Sequence, residues 1–122
     1  MTNDKLLEKF GQILMTEVRD EAIEKYEMIV SGKMKSAPAL ELNKKLSALS
    51  EDQLFLIREV VVSSVDDTVH NFLWMLEQHE DDMELTCSKG ASKANMNEVS
   101  DGLSGEIYTD DGWIAQFSKY KE

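Results

Sequence analysis

Residues 50–79, SEDQLFLIREVVVSSVDDTVHNFLWMLEQH, decide the fold, because they read either as one long helix or as a helix interrupted by a strand. Ser50-Glu51-Asp52-Gln53 is a Ser-x-x-Gln capping box, with two acids placed to complement the positive end of the helix dipole. Leu54, Ile57, Val61, Val65, Phe72, Met75 and Leu76 then recur at helical spacing. The β-branched triplet Val60-Val61-Val62 pulls locally toward a strand. Asp66-Asp67-Thr68-Val69-His70 has no strand alternation, however, and the helical repeat resumes beyond it. The stretch therefore predicts a single helix from Ser50 to about His79.

Upstream, Pro38 opens a short helical piece over 39–49, with Leu42, Leu46 and Leu49 on one side. Before it, a long helix follows Asn3 as N-cap, with Leu6, Phe10, Ile13, Leu14, Val18, Ala22, Ile23, Tyr26, Ile29 and Val30 on its apolar face. Glu8, Lys9, Glu17, Arg19, Asp20, Glu21, Glu24 and Lys25 fall on the opposite, wet face. Gly11 weakens this helix by ~1 kcal/mol without ending it, and Gly32 sits where it stops. Downstream, Met83, Leu85 and Cys87 alternate with Glu84 and Thr86, the pattern of a half-buried strand. Residues 89–101 are polar and read as a loop, and residues 105–109 read as a second strand. For the segment that follows, Asp111-Gly112 suits a tight hairpin turn, whereas Trp113, Ile114, Phe117 and Tyr120 follow one face of a helix. Ile114 beside Trp113 breaks strict alternation, which favours the helix. The expected fold is mainly α, of the α+β kind: two long helices, a shorter one, a two-stranded antiparallel element and a closing aromatic segment.

A chain of 122 residues supports one domain with one core. No apolar run approaches the ~18 residues that span a bilayer. The first residues lack the basic-then-apolar order of a secretion signal, and the single cysteine, Cys87, fits a reducing compartment. A cytoplasmic location is the expectation. The net charge is −11 and unevenly spread. Residues 50–86 carry ten acids against Arg58 as their only base, whereas residues 32–49 are net positive. That excludes a general nucleic-acid binder, which needs a basic stripe, and disfavours anionic membranes. It is compatible with a basic protein partner, whose encounter an acidic face accelerates. The plainer use of those acids is a solvated, solubilising helix face.

Candidate chemistry is sparse. With Gly112 placed at the glycine of an EF-hand loop, ligands are missing at both ends. Gly102-Leu103-Ser104-Gly105 lacks the lysine of a phosphate loop. Asp66 and His70, four residues apart, share a helix face and could hold a metal if Glu17, Glu21 or Glu24 of the first helix joined them. Two donors fall short of a metal site, and a His–Asp pair that holds the helix is the simpler reading. Cys87 has acidic neighbours, which oppose thiolate formation, and no serine lies in a nucleophile elbow. Nothing calls for a cofactor, and the balance leans away from an enzyme. For partner binding the candidates are Glu59, Asp66, Asp67, Glu77, Glu80, Asp81 and Asp82, with Trp74 and Trp113 as aromatic anchors. Helices this long on a short chain also leave a homodimer open as a way to cover apolar surface.

Asp101-Gly102-Leu103-x-Gly105-Glu106, Asp111-Gly112-Trp113-Ile114 and Phe117-Ser118-Lys119-Tyr120 together resemble the C-terminal ends of small acidic bacterial proteins of unassigned function. The resemblance covers about twenty residues and implies no activity. In size, charge and helical content the chain is also similar in type to immunity or antidote proteins, which implies a basic toxin as partner. The reading with the most support is a non-catalytic interaction protein; the alternative is a small helical protein with a carboxylate–histidine ligand site.

Overall fold

The computed structural model describes residues 1–121. Its first limb is helical from end to end: α1 (Asn3–Leu14), a π-helical turn (Met15–Arg19) and α2 (Asp20–Ser31). The short α3 (Ala37–Leu46) leads into the second limb, α4 (Glu51–Gln78). The expected capping box is present in full, Ser50 and Gln53 bonding each other's backbone N–H. The α4 backbone is helical through Val60–Val62: the helix on either side carries through three residues of β preference, of which only Val62 is buried. Gly32 ends α2 in the left-handed region, at φ +77°, a conformation glycine adopts without strain. At the other end, Thr2 and not Asn3 caps α1, its hydroxyl accepting from Lys5 N at 3.2 Å.

The π turn corrects the expected face of the first helix. An α-helical spacing carries the apolar stripe from Leu14 to Val18 and Ala22. The wider turn rotates the following residues, so that Met15, Arg19, Asp20 and Ile23 point inward while Val18 is exposed. Arg19 and Asp20, expected on the wet face, are 0% and 4% exposed. The limbs run antiparallel, since Arg19 meets Asp66, Glu27 meets Arg58 and Tyr26 meets Leu54.

A small cap follows α4. β1 (Thr86–Lys89) pairs antiparallel with β2 (Ser92–Asn95), Thr86 opposite Asn95 and Lys89 opposite Ser92, around Gly90 at φ +60°. The first strand overlaps the expected one at Thr86 and Cys87 but is shifted along the chain, leaving Met83 and Leu85 outside it and reaching Lys89. The second does not overlap its expected one: it falls in the polar stretch read as a loop, and residues 103–106 form a 3-10 turn. Ser92–Asn95 carries no apolar alternation because it lies two residues from its partner and is held through backbone pairing, while the fully buried Ile107 drops into the core from a turn. α5 (Met96–Val99) and α6 (Trp113–Phe117) complete the cap; the latter is the helix favoured for the aromatic segment, but it ends at Phe117 and leaves Tyr120 beyond it.

The fold is thus mainly α with one two-stranded antiparallel sheet. Its core gathers Leu6, Leu14 and Met15 from the first limb, Val69, Leu73 and Leu76 from α4, and Met96, Leu103, Ile107, Trp113 and Ile114 from the cap. Burial is concentrated at that end. From Leu40 to Val61, across α3 and the first turns of α4, no residue is buried.

Candidate functional site: the outward face of α4

At 100° per residue, Asp52, Leu56, Glu59, Ser63, Asp67 and Trp74 fall within a sector of roughly 80° around α4. All six are exposed. Acid and apolar residues therefore alternate along one stripe of a helix about 40 Å long. Phe55 and Val60 flank it, 63% and 59% exposed. Beside the stripe lies an open cleft of about 530 Å³, lined by Phe55, Arg58, Glu59, Val62, Ser63, Asp66, Asp67 and Tyr108. Tyr108 reaches it from the cap, its hydroxyl donating to the Asp66 carbonyl at 3.2 Å. Burial pushes the Tyr108 phenol upward, reinforced by the negative charges of Asp66 and Asp67 and opposed by Arg19.

The expected partner-binding residues divide sharply. Glu59, Asp67 and Trp74 stand on the stripe, and Glu80, Asp81 and Asp82 are exposed in the turn that follows it. Asp66 and Glu77 do other work. The Asp66 carboxylate accepts from Arg19 Nε at 2.6 Å and from Nη2 at 3.4 Å. Glu77 takes the Ser104 backbone N–H at 2.7 Å and the Ser104 hydroxyl at 3.1 Å, pinning the 3-10 turn to α4. Trp113 is corrected from exposed anchor to core residue. It is 3% exposed, edge-on to Phe10 at 5.6 Å, and its indole occupies the space a Cβ at Gly11 would need. A large aromatic next to a helix glycine gains more by filling that notch than by facing water.

His70 is half-buried, its ring 6.0 Å from that of Tyr108. The first limb meets Asp66 with Arg19, where a ligand site would need a carboxylate. Among the described residues no three of His, Cys, Asp and Glu converge on a point that could hold a metal. Burial raises the Cys87 thiol, which disfavours the nucleophilic thiolate.

Sequence reasoning missed the polar knot behind the stripe. The fully buried Arg19 guanidinium joins Asp66 to the C-terminal segment: Nη1 donates to Ser118 Oγ at 2.8 Å and to the Tyr120 carbonyl. Asp20 accepts from the Ser118 hydroxyl and from Lys119 N, the latter at 3.0 Å. Lys119 Nζ reaches Glu24 at 2.8 Å, and this hydrogen bond raises the lysine above its ordinary value. Every buried side-chain nitrogen or oxygen among the described residues has a partner. This knot fastens α2, α4 and the C-terminal segment together, with each of its charges paired within the fold. The one signal for it in the sequence is the adjacent pair Arg19-Asp20, followed by more acids than the wet face needs.

No family model matches the chain, nor does any curated protein or solved structure. Among the described residues no helix is long and apolar enough to cross a membrane.

Proposed function

We propose that this is a non-catalytic interaction protein that takes up a basic protein partner along α4, in the manner of an immunity or antidote protein. One observation carries the reading. The exposed stripe sets Glu59 and Asp67 beside Leu56 and Trp74, and neither acid has a cation within ion-pair distance among the described residues. Acids that the fold itself requires, Asp66 and Glu77, are withdrawn from this surface by Arg19 and Ser104. What remains exposed is charge and aromatic area without an internal task. Such a surface complements a partner segment carrying Lys or Arg next to apolar residues: the acids steer encounter, and Trp74, 49% exposed, supplies an aromatic anchor.

The test is affinity capture from the host lysate by the wild-type chain and by a D67K/D81K/D82K variant, washed at low and then high salt. The reading expects a stoichiometric basic protein that leaves at high salt and binds the variant at least about tenfold more weakly. Trp74→Ala should cost a further ~2 kcal/mol of affinity if the indole is a hot spot. A partner held equally by wild type and reversed variant would move the interface off this face.

A further inference from the structure

Between Leu40 and Val61, twenty-two consecutive residues contain no buried side chain, although half of them are apolar. Leu40 and Leu42 on α3 and Phe55, Leu56 and Val60 on α4 are each between 43% and 63% exposed. Several large exposed apolar side chains in one region of a small domain mark an interface, and the short α3 gains most of its support from α2 alone. The α3 surface is net basic, Lys44 and Lys45 against Glu41, and the α4 surface net acidic, Glu59, Asp66 and Asp67 against Arg58. On α3, Leu40, Lys44 and Lys45 line an open groove together with Glu41. On α4, Phe55 and Glu59 line the cleft that ends at Tyr108. The two surfaces are complementary in charge. They also match in spacing: an apolar residue is followed four positions later by a charge in both, Leu40 then Lys44, and Phe55 then Glu59. Residues four apart share a helix face.

We infer that this arm is the interface between two copies of the chain. The α3 helix of each copy runs alongside α4 of the other, with Leu40 on Phe55 and Lys44 facing Glu59. Because each copy offers both surfaces, the contact repeats about a two-fold axis, as an isologous dimer requires. The net charge of −11 opposes any association of like chains, so the local basic segment is what makes this end, and no other, the end that can pair. The inference goes beyond the partner reading and does not rest on it: pairing takes up Glu59 and Leu56 at the start of the stripe, while Asp67, Trp74 and the acids at 80–82 lie outside the paired residues and stay open to a basic protein.

The test is mass by sedimentation equilibrium over a concentration series, with helix content followed by circular dichroism. The wild-type chain should run at twice the chain mass, and Leu40→Asp and Phe55→Asp should each run as folded monomers, since both side chains are exposed in the single chain. Lys44→Glu and Glu59→Lys should each weaken the dimer roughly tenfold, the loss of about 1.4 kcal/mol. An equimolar mixture of those two variants should recover it, because each supplies the charge the other lacks. A wild-type chain that is monomeric at every concentration overturns the inference, as does a dimer indifferent to Phe55→Asp or a mixture that fails to recover. None of these results bears on the D67K/D81K/D82K capture, so the two readings fail separately.

Discussion

Arg19 ties Asp66, Asp20 and Ser118 to one buried charge. A guanidinium at 0% exposure is tolerable only while its charge is matched, since an uncompensated buried ion costs several kcal/mol. Asp66 provides the bidentate match, and Asp20 stands 3.7 Å from Nη1. Asp66→Asn keeps the size and an acceptor oxygen but removes the charge, and should destabilise the fold by about 3 kcal/mol, the lower end for a broken buried pair because Asp20 remains. Asp67→Asn, one position along on the open stripe, should change stability by less than about 0.5 kcal/mol. Urea unfolding of the two variants side by side checks this, and equal midpoints would mean that Arg19 is balanced without Asp66. The difference between these neighbours was not legible in the sequence. Asp66 and Asp67 are chemically the same, and only the position of Arg19, on a helix whose phase shifts at the π turn, separates a structural acid from an available one.

At the scale of elements, the fold turns on how closely α1 and α6 approach. An ideal Cβ at Gly11 would stand 2.4 Å from Trp113 Cε2, a clash that an indole boxed in by Phe10 cannot relieve by rotating. Gly11→Ala gains ~1 kcal/mol of helix propensity and incurs about 1–3 kcal/mol of overpacking. The clash is severe enough for the loss to prevail, by roughly 1–2 kcal/mol. A lowered denaturant midpoint at unchanged slope is the expected result; a raised midpoint would show the indole moving aside. Where each element's signal was local, the sequence could be read: the Ser50 box, the Gly32 terminus and the continuity of α4 all rest on residues within a turn of one another. Gly11 was read as a mere weakness because its reason, Trp113, lies 102 positions away. The second strand was missed for a related reason, since Ser92–Asn95 is specified by the turn at Gly90 and by backbone pairing, not by apolar alternation. The stripe on α4 was legible in part. Its acids were visible as a run, but which of Trp74 and Trp113 faced water was decided by tertiary packing.

For the whole molecule, the shifted groups act together on the dependence of stability on pH. Burial raises the Cys87 thiol and the Tyr26 and Tyr108 phenols, so the folded chain keeps those protons more tightly than the unfolded chain. Lys119 is raised too, chiefly because its charged form donates to Glu24, which also makes the folded chain the stronger proton binder. All four therefore carry the same sign. Their contribution is complete below the unfolded values and declines as pH rises through them, because the unfolded state then gains by releasing protons first. Cys87 has the lowest ordinary value of the four, so the decline should begin at about pH 8.5 and steepen as the phenols and Lys119 follow. Tyr108 and Lys119 are the more exposed groups, and solvent screening reduces their share. Thermal melts from pH 7 to 10.5 should give a midpoint that falls monotonically over the upper part of that range. Cys87→Ala should flatten the early part of the fall while leaving the later part in place. A midpoint that rises with pH would mean that relief of lysine charge outweighs these groups, which a chain of net charge −11 argues against: removing positive charge from an already acidic protein adds repulsion and so works in the same direction as the four shifts.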